Sequence, residues 1–368
     1  MKKNYPMDFW LLFAVIALTS LGVIMVLSAS IYNASGTYND QFYVFRRQFL
    51  FALMGIVALL IISRIDYKMY KRFAFALLLL SIMALGLVFV PGIRYYANGA
   101  YRWIQIAGIT IQPAEIVKVT LILFMAASLA NIKDGVRRFF SGYLPYLLLV
   151  GIISLLIYFQ PNLSMIVLIG GIAVAMLFAA GGNIIHLMGT AGALVSVAAY
   201  AMFFTDWRKD RLDVFLNPGS DVSQAGWQAQ QSILALGSGG VFGQGLGNGK
   251  QKMYFLPEPQ NDFIFAHMGE EVGLIGLLIV LALFILVLWR GIVISLQAPD
   301  DFGALTAFGI TFMIGMQVII NVAVVTQLIP VTGIPLPFVS AGGTSLLILM
   351  ASVGILLNIS KHIPTKRR

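Results

Sequence analysis

Long apolar runs, each near the length of a bilayer crossing, alternate with short polar joints along the whole chain. Ten such runs are read, over roughly 9–29, 48–63, 73–91, 113–130, 143–159, 163–181, 183–204, 263–289, 303–329 and 336–358. About 20 apolar residues in a helix cross the hydrocarbon core, and somewhat fewer suffice. The runs are continuous rather than alternating, which selects helices over a barrel. The pattern therefore predicts an all-α polytopic membrane protein with ten transmembrane helices and one domain over 1–368. A large extracytoplasmic loop, 205–262, joins spans seven and eight. The first run imitates a secretion signal, with Lys2 and Lys3 at its head and Ser28-Ala29-Ser30 near its end. Its apolar part is too long for one, and nine more spans follow, so it is read as a retained helix.

Composition sharpens this reading. Of 368 residues, 59% are hydrophobic and 11% charged, and the mean hydropathy is +0.89. A water-soluble domain has no interior large enough for that much apolar surface. The net charge of +9 comes from Lys and Arg in short joints, where they act as topology signals and meet lipid head groups rather than nucleic acid. With an even number of spans both termini share a side. Placing them in the cytoplasm puts the larger share of basic residues there, including Lys2, Lys3, Arg64, Lys68, Lys71 and Arg72. The chain has no cysteine, which excludes disulfides and thiolate metal sites.

The loop 205–262 is too structured in its wording to be a linker. Asp206, Arg208, Lys209, Asp210, Arg211 and Asp213 alternate in sign, and Asn217-Pro218-Gly219 marks a turn. Trp227 to Leu236 then reads as a short helix with Trp227 and Leu234 on one face. Such a helix can lie on the membrane, re-enter it, or pack against the rest of the loop. The glycine-rich stretch Gly237–Gly249 permits close backbone approach. It serves either as a phosphate cradle or as a flexible connector, and no strand precedes it to support a nucleotide-binding loop. Lys250 and Lys252 follow at once and favour a nearby anion. Pro257-Glu258-Pro259 stiffens the approach to Asp262, the last polar residue before the eighth run.

Charges inside apolar runs are costly and mark candidate sites. Glu115 and Lys118 stand at i, i+3 behind Pro113, and either neutralise each other or line a cavity. Glu270 and Glu271 lie in the eighth run with His267 on about the same face. Two adjacent carboxylates cannot both face lipid, so pairing with a lysine, a helix N-terminus or water is expected, and His267 is read as an interior histidine. Asp262 either caps the eighth helix or acts as a base at its mouth. Arg102 and Trp103 offer a cation and an interfacial ring. Gln317 and Asn321 are four apart in the ninth run and suit hydrogen bonds across helices. Ser340, Gly342 and Gly343 suit close packing near the last loop.

The stretch Leu256-Pro257-Glu258-Pro259-Gln260-Asn261-Asp262-Phe263-Ile264-Phe265-Ala266, with Gly269-Glu270-Glu271 behind it, resembles the SEDS (FtsW/RodA/SpoVE) family of division, elongation and sporulation proteins. Arg102-Trp103, Ile111-Gln112-Pro113-Ala114-Glu115 with Lys118, Gln160-Pro161, and Ile329 to Ser340 with Gly342-Gly343 carry the same resemblance. It covers nearly the whole chain, and the wording is nearer to sporulation and Gram-positive division members than to elongation ones. Four places depart from the family pattern. Asn162 and Ser164 stand where Asp and Gly are usual, Asn261 where Thr is, His267 where an aliphatic residue is, and Ala341 where Tyr is. Asn162 removes a carboxylate, so any acidic role there falls away.

The resemblance implies a ten-span enzyme that polymerises lipid II into glycan strands, with Asp262 as the catalytic base and a monofunctional class B penicillin-binding protein as partner. Undecaprenyl pyrophosphate would leave, and Lys118, Glu115, Arg102, Lys250 and Lys252 are the candidates to hold it. Glu258, Glu270, Glu271 and Ser340 would support the site. A divalent cation, Mg²⁺ or Mn²⁺, bridging diphosphate to Asp262 or Glu258 is compatible with this chemistry. No compact carboxylate–histidine spacing marks a metal cage. Two rival readings stand beside the polymerase. One is a lipid flippase or transporter, which would favour a site near the midplane and an internal repeat. The other is a scaffold that only recruits a transpeptidase.

Overall fold

The computed structural model describes residues 5–97, 99–106, 108–204, 224–250 and 260–364. The charged stretch Asp206–Asp213, the turn at Asn217, and Lys252 and Glu258 lie outside the described residues. Helices α1 (Phe9–Tyr38), α2 (Tyr43–Ile62) and α3 (Lys68–Leu87) lead into a small sheet, β1 (Arg94–Ala97), β2 (Ala100–Ile106) and β3 (Ile109–Ile111). Then come α4 (Pro113–Ile132), α5 (Leu144–Tyr158), α6 (Leu163–Ala179), α7 (Ile184–Phe204), α8 (Gln224–Gly239), α9 (Ile264–Gln297), α10 (Asp301–Val325) and α11 (Gly343–Ser360). Among the described residues, eight helices are long and apolar enough to cross a membrane, α5 counting with the turn before it. Helix α6 and the Ile184–Val197 part of α7 are apolar but shorter. Length alone thus carries eight of the ten predicted spans. α4, α10 and α11 are the most enclosed and α3 the least, with α2 and α9 next to it.

Three features depart from the pattern read in the sequence. The joint between α3 and α4, read as a plain loop, is an antiparallel β1-β2-β3 meander. Ile104 pairs with Arg94 on one side and Ile111 on the other. Glycines with positive φ, Gly99 and Gly108, stand in the two hairpin turns.

The last predicted span starts too early. Residues 330–342 are not helical, and α11 begins at Gly343. Leu336, Phe338 and Val339 are nevertheless buried. This loop runs so close to α1 that a Cβ on Gly22 would lie 2.6 Å from Val339 Cα. Pro330, Pro335 and Pro337 remove the amides a helix would need.

The third departure is in α9. Gly273 has φ 67° and ψ −170°, which breaks the helix inside its apolar run. A break leaves two amides and two carbonyls without their helical partners, and hydrocarbon supplies no substitutes. The glycine-rich stretch supplies them. Leu274 and Ile275 donate to the carbonyls of Gly240 and Val241 at 3.0 and 3.2 Å, while Gln244 and Gly245 donate to Glu270 and Glu271 at 2.9 and 3.0 Å. Only glycine fits this contact, because a Cβ at Gly243 would sit 2.2 Å from the Glu271 carbonyl oxygen. Gly237–Gly249 is therefore neither a free connector nor an open phosphate cradle.

Helix α8 is the predicted Trp227–Leu236 helix, extended at both ends. It packs against the first half of α9, burying Gln231, Ser232 and Ala235. Trp227 and Leu234 are both exposed. At the other end of the molecule, Arg290 forms a buried ion pair with Asp8 at 2.5 Å. Asp8 also caps α1 through the Leu11 amide at 3.0 Å.

Candidate active site

A cavity of about 470 Å³ opens where the sheet, the head of α2, the start of α6, the loop before α11 and residues 260–262 converge. Asp262 lines it. It stands one residue ahead of the N-cap of α9. Phe263 occupies the N-cap position and makes no side-chain capping bond. The partly exposed Asp262 lies beside Gly333, where an added Cβ would come within 3.5 Å of Oδ2.

Glu115 lines the same cavity from the first turn of α4. Lys118, one turn on, pairs with it at 2.9 Å. Ser345 Oγ donates to Glu115 Oε2 at 3.0 Å. The two are 5% and 2% exposed, so the pair is shielded from water. Lys118 does not reach the main cavity. It borders a second space of about 20 Å³ behind the wall, shared with Gln317 and Ser340. Its arrangement suits holding Glu115 more than touching a ligand in the main cavity.

Arg102 lies on β2, not in a loop, and lines the cavity. Its Nε and Nη2 donate to the carbonyls of Gln160 and Pro161 at 3.2 and 2.6 Å, tying the sheet to the turn before α6. Asn162 keeps a capping role despite the missing charge, accepting from the Met165 amide at 3.3 Å. Arg47 was missed as a site residue. It lines the cavity from the N-terminal part of α2, and its Nη2 donates to Thr110 Oγ1 at 2.9 Å. Its signal was the Arg46-Arg47-Gln48 triplet heading the second apolar run, read only as a topology charge.

Other predicted site residues do not join this group. Lys250 is exposed and outside the cavity lining, and its backbone amide donates to Glu270 Oε1 at 2.7 Å. Glu270 and Glu271 are both 1% exposed and belong to the helix break. Glu271 accepts from Ser28 Oγ on α1 at 2.6 and 2.8 Å, and His267 Nε2 lies 3.4 Å from it. Among the described residues the carboxylates meet a loop amide, a serine and a histidine. Ser340 sits behind the cavity wall, and its hydroxyl donates to the Asn261 carbonyl at 2.7 Å. Among the described residues no three His, Asp or Glu side chains cluster tightly enough to hold a metal ion.

The cavity brings together a carboxylate at a helix mouth, a second buried carboxylate with its lysine, and two guanidinium groups. That set can accept a proton and offset anionic charge in one place. Residues 9–364 match the model of the cell cycle protein family that comprises FtsW, RodA and SpoVE. The chain belongs to the FtsW/RodA/SpoVE family. The probable peptidoglycan glycosyltransferase FtsW of Geobacter metallireducens is 42% identical over 360 residues, covering 98% of this chain and 96% of that one. The stage V sporulation protein E of Bacillus subtilis is 41% identical over 368 residues and 98% of each chain. Among solved structures, the crystal structure of Thermus thermophilus RodA superimposes with a TM-score of 0.70 at 25% identity, over 96% of each chain. A chain from work on the structural coordination of polymerization and crosslinking by a peptidoglycan synthase complex gives a TM-score of 0.78 at 25% identity. It covers 96% of this chain and 97% of that one. This family member has the membrane-helical architecture of those neighbours.

Proposed function

We propose that this chain is a peptidoglycan glycosyltransferase that polymerises lipid II, with the cavity around Asp262 as its active site. Relatives carrying that name cover essentially the whole chain, and Asp262, Glu115, Arg47 and Arg102 line one cavity. That shared lining carries the reading. In the reaction an acceptor sugar hydroxyl attacks the anomeric carbon of the growing strand. The new glycosidic C–O bond forms as the bond to the diphosphate oxygen breaks, and undecaprenyl pyrophosphate leaves. Asp262 takes the hydroxyl proton, a contribution of about 10²–10⁴-fold for a positioned base. Arg47 and Arg102 offset the negative charge that grows on the leaving diphosphate. Lys118 fixes Glu115 in the wall. A divalent cation at the diphosphate would find Asp262 and Glu115 oxygens there, which are ligands of the right hardness.

The site lies at the extracytoplasmic end of the spans, with both termini in the cytoplasm of a bacterium. The partner is a class B penicillin-binding protein, whose transpeptidase activity cross-links the strands. The structural relative comes from work on a peptidoglycan synthase complex that coordinates polymerization with crosslinking, which favours a cross-linking partner. The deciding experiment incubates the purified chain with lipid II and measures strand length on gels, comparing the parent with Asp262→Asn. The amide is isosteric but not basic, so turnover should fall by about 10²-fold or more. Parental turnover in that variant would sink the assignment. Lipid II scrambling in proteoliposomes without strand growth would favour the transporter instead.

A further inference from the structure

The backbone just before α9 shows how Asp262 is held. The carbonyls of Gln260, Asn261 and Asp262 precede the first helical hydrogen bond, so each needs a donor from elsewhere. Each finds one. The Ala341 amide donates to Gln260 O at 2.8 Å. Ser340 Oγ donates to Asn261 O at 2.7 Å. Asn321 Nδ2, from α10, donates to Asp262 O at 2.9 Å. The same Asn321 nitrogen donates to Ile334 O at 2.8 Å, and Ser340 Oγ accepts from the Leu336 amide at 2.8 Å. Asn321 is 1% exposed. Two carbonyls facing one end of its amide fix that end as the nitrogen, since an oxygen there would be repelled by both.

We infer that Asn321 and Ser340 are positioning residues that clamp the 260–262 backbone and thereby aim the Asp262 carboxylate into the cavity. The inference rests on the polymerase reading. Neither side chain lines the main cavity, so neither acts on substrate directly. Both lock the loop before α11 and the turn leading into α9 as one piece. Without them the 260–262 carbonyls lose donors and the segment shifts. A shift of about 1 Å at a base costs on the order of 10²-fold in rate without weakening substrate binding far from it.

The test uses the purified full chain with lipid II, and compares Asn321→Leu, Ser340→Ala and Ser340→Thr, each alone and combined with Asp262→Asn. The expected result is that kcat falls by about 10- to 100-fold in Asn321→Leu and Ser340→Ala while KM stays within about twofold. Ser340→Thr, which keeps the hydroxyl, restores most of the loss. In the Asp262→Asn background, whose residual turnover is followed over hours, the same changes cost almost nothing further, because they act through the carboxylate already removed. If they instead lower that residual rate by the same factor as in the parent, the clamp does not act through Asp262. The positioning claim is then overturned while the polymerase reading stands. If Asp262→Asn alone keeps the parental rate, the polymerase reading itself fails and takes the clamp with it. Should Asn321→Leu lose its thermal transition, the Ser340 pair decides the question in the same way.

Discussion

Removing the Lys118 ammonium probes the Glu115–Lys118 pair most directly. At 2.9 Å and an effective dielectric constant of about 20, the attraction is about 6 kcal/mol before the cost of desolvation. Both groups are almost wholly buried, so that cost is large, and much of the attraction only offsets it. Lys118→Ala removes the attraction and leaves the cost on Glu115, with the Ser345 hydroxyl its remaining neighbour in the pair. The expected loss is about 3–5 kcal/mol of stability, the usual penalty for stranding a buried charge. The double change Glu115→Gln with Lys118→Met removes both charges at similar volume, so it should lose much less than the single change. The assay is the thermal midpoint of the detergent-solubilised protein, read by tryptophan fluorescence, for both singles and the double. If the loss of the double change equals the sum of the losses of Glu115→Gln and Lys118→Met within about 0.5 kcal/mol, the two groups are not coupled and the physical picture of the pair is wrong. Turnover on lipid II then separates roles. A folded double variant that polymerises at the parental rate would make the pair structural only.

Arg47→Ala should cut turnover by roughly 10²-fold or more if its guanidinium offsets diphosphate charge, with Arg47→Lys restoring part of it; an unchanged rate would remove it from the site. Gly243→Ala places a Cβ at 2.2 Å from the Glu271 carbonyl at a positive φ, so little folded protein should be recovered. Gly86→Ala meets nothing within 4 Å and should leave the yield unchanged, and equal yields from both would contradict the packing at the break. Asp300 lies between α9 and α10. Burial works to raise its pKa, but hydrogen bonds from Tyr67 and the Gly303 amide and the Lys68 ammonium outweigh it and hold the carboxyl below its usual value. A depressed pKa adds stability above the unfolded value of about 4, lost as pH falls through the folded one. The gap between the thermal midpoints of the parent and Asp300→Asn should therefore narrow as pH falls below about 4, and a gap that stays constant from neutral pH to well below 4 would reject the linkage.

What could be read from the sequence divides along physical lines. Asp262 and Glu115, which line the cavity, drew notice in the sequence because a charge within or beside an apolar run is costly. Arg47 did not, since a cation heading a span serves equally as a topology signal, and only the cavity distinguishes the two. Residues 336–342 were folded into the last span because burial inside a protein selects the same apolar side chains as lipid does. The prolines were the one sign against it. The β-meander was written in alternation too short to compete with its neighbours, although Tyr101, Trp103, Ile104 and Ile106 between turn glycines favour strands. Gly273 left no local trace of a break. The break is settled by amides and carbonyls far away in the chain, at 240–245, which no window around Gly273 contains.

That distant settlement has a mechanical consequence. The break in α9 and the turn following α8 exchange four backbone bonds, two in each direction. Sliding one past the other would sever all four at once in a medium with no water to replace them. A tug on α8 therefore cannot be absorbed as slack at the break. It is handed on to the short half-helix Ile264–Val272, and so to the carboxylate at its head, as though the two segments were welded.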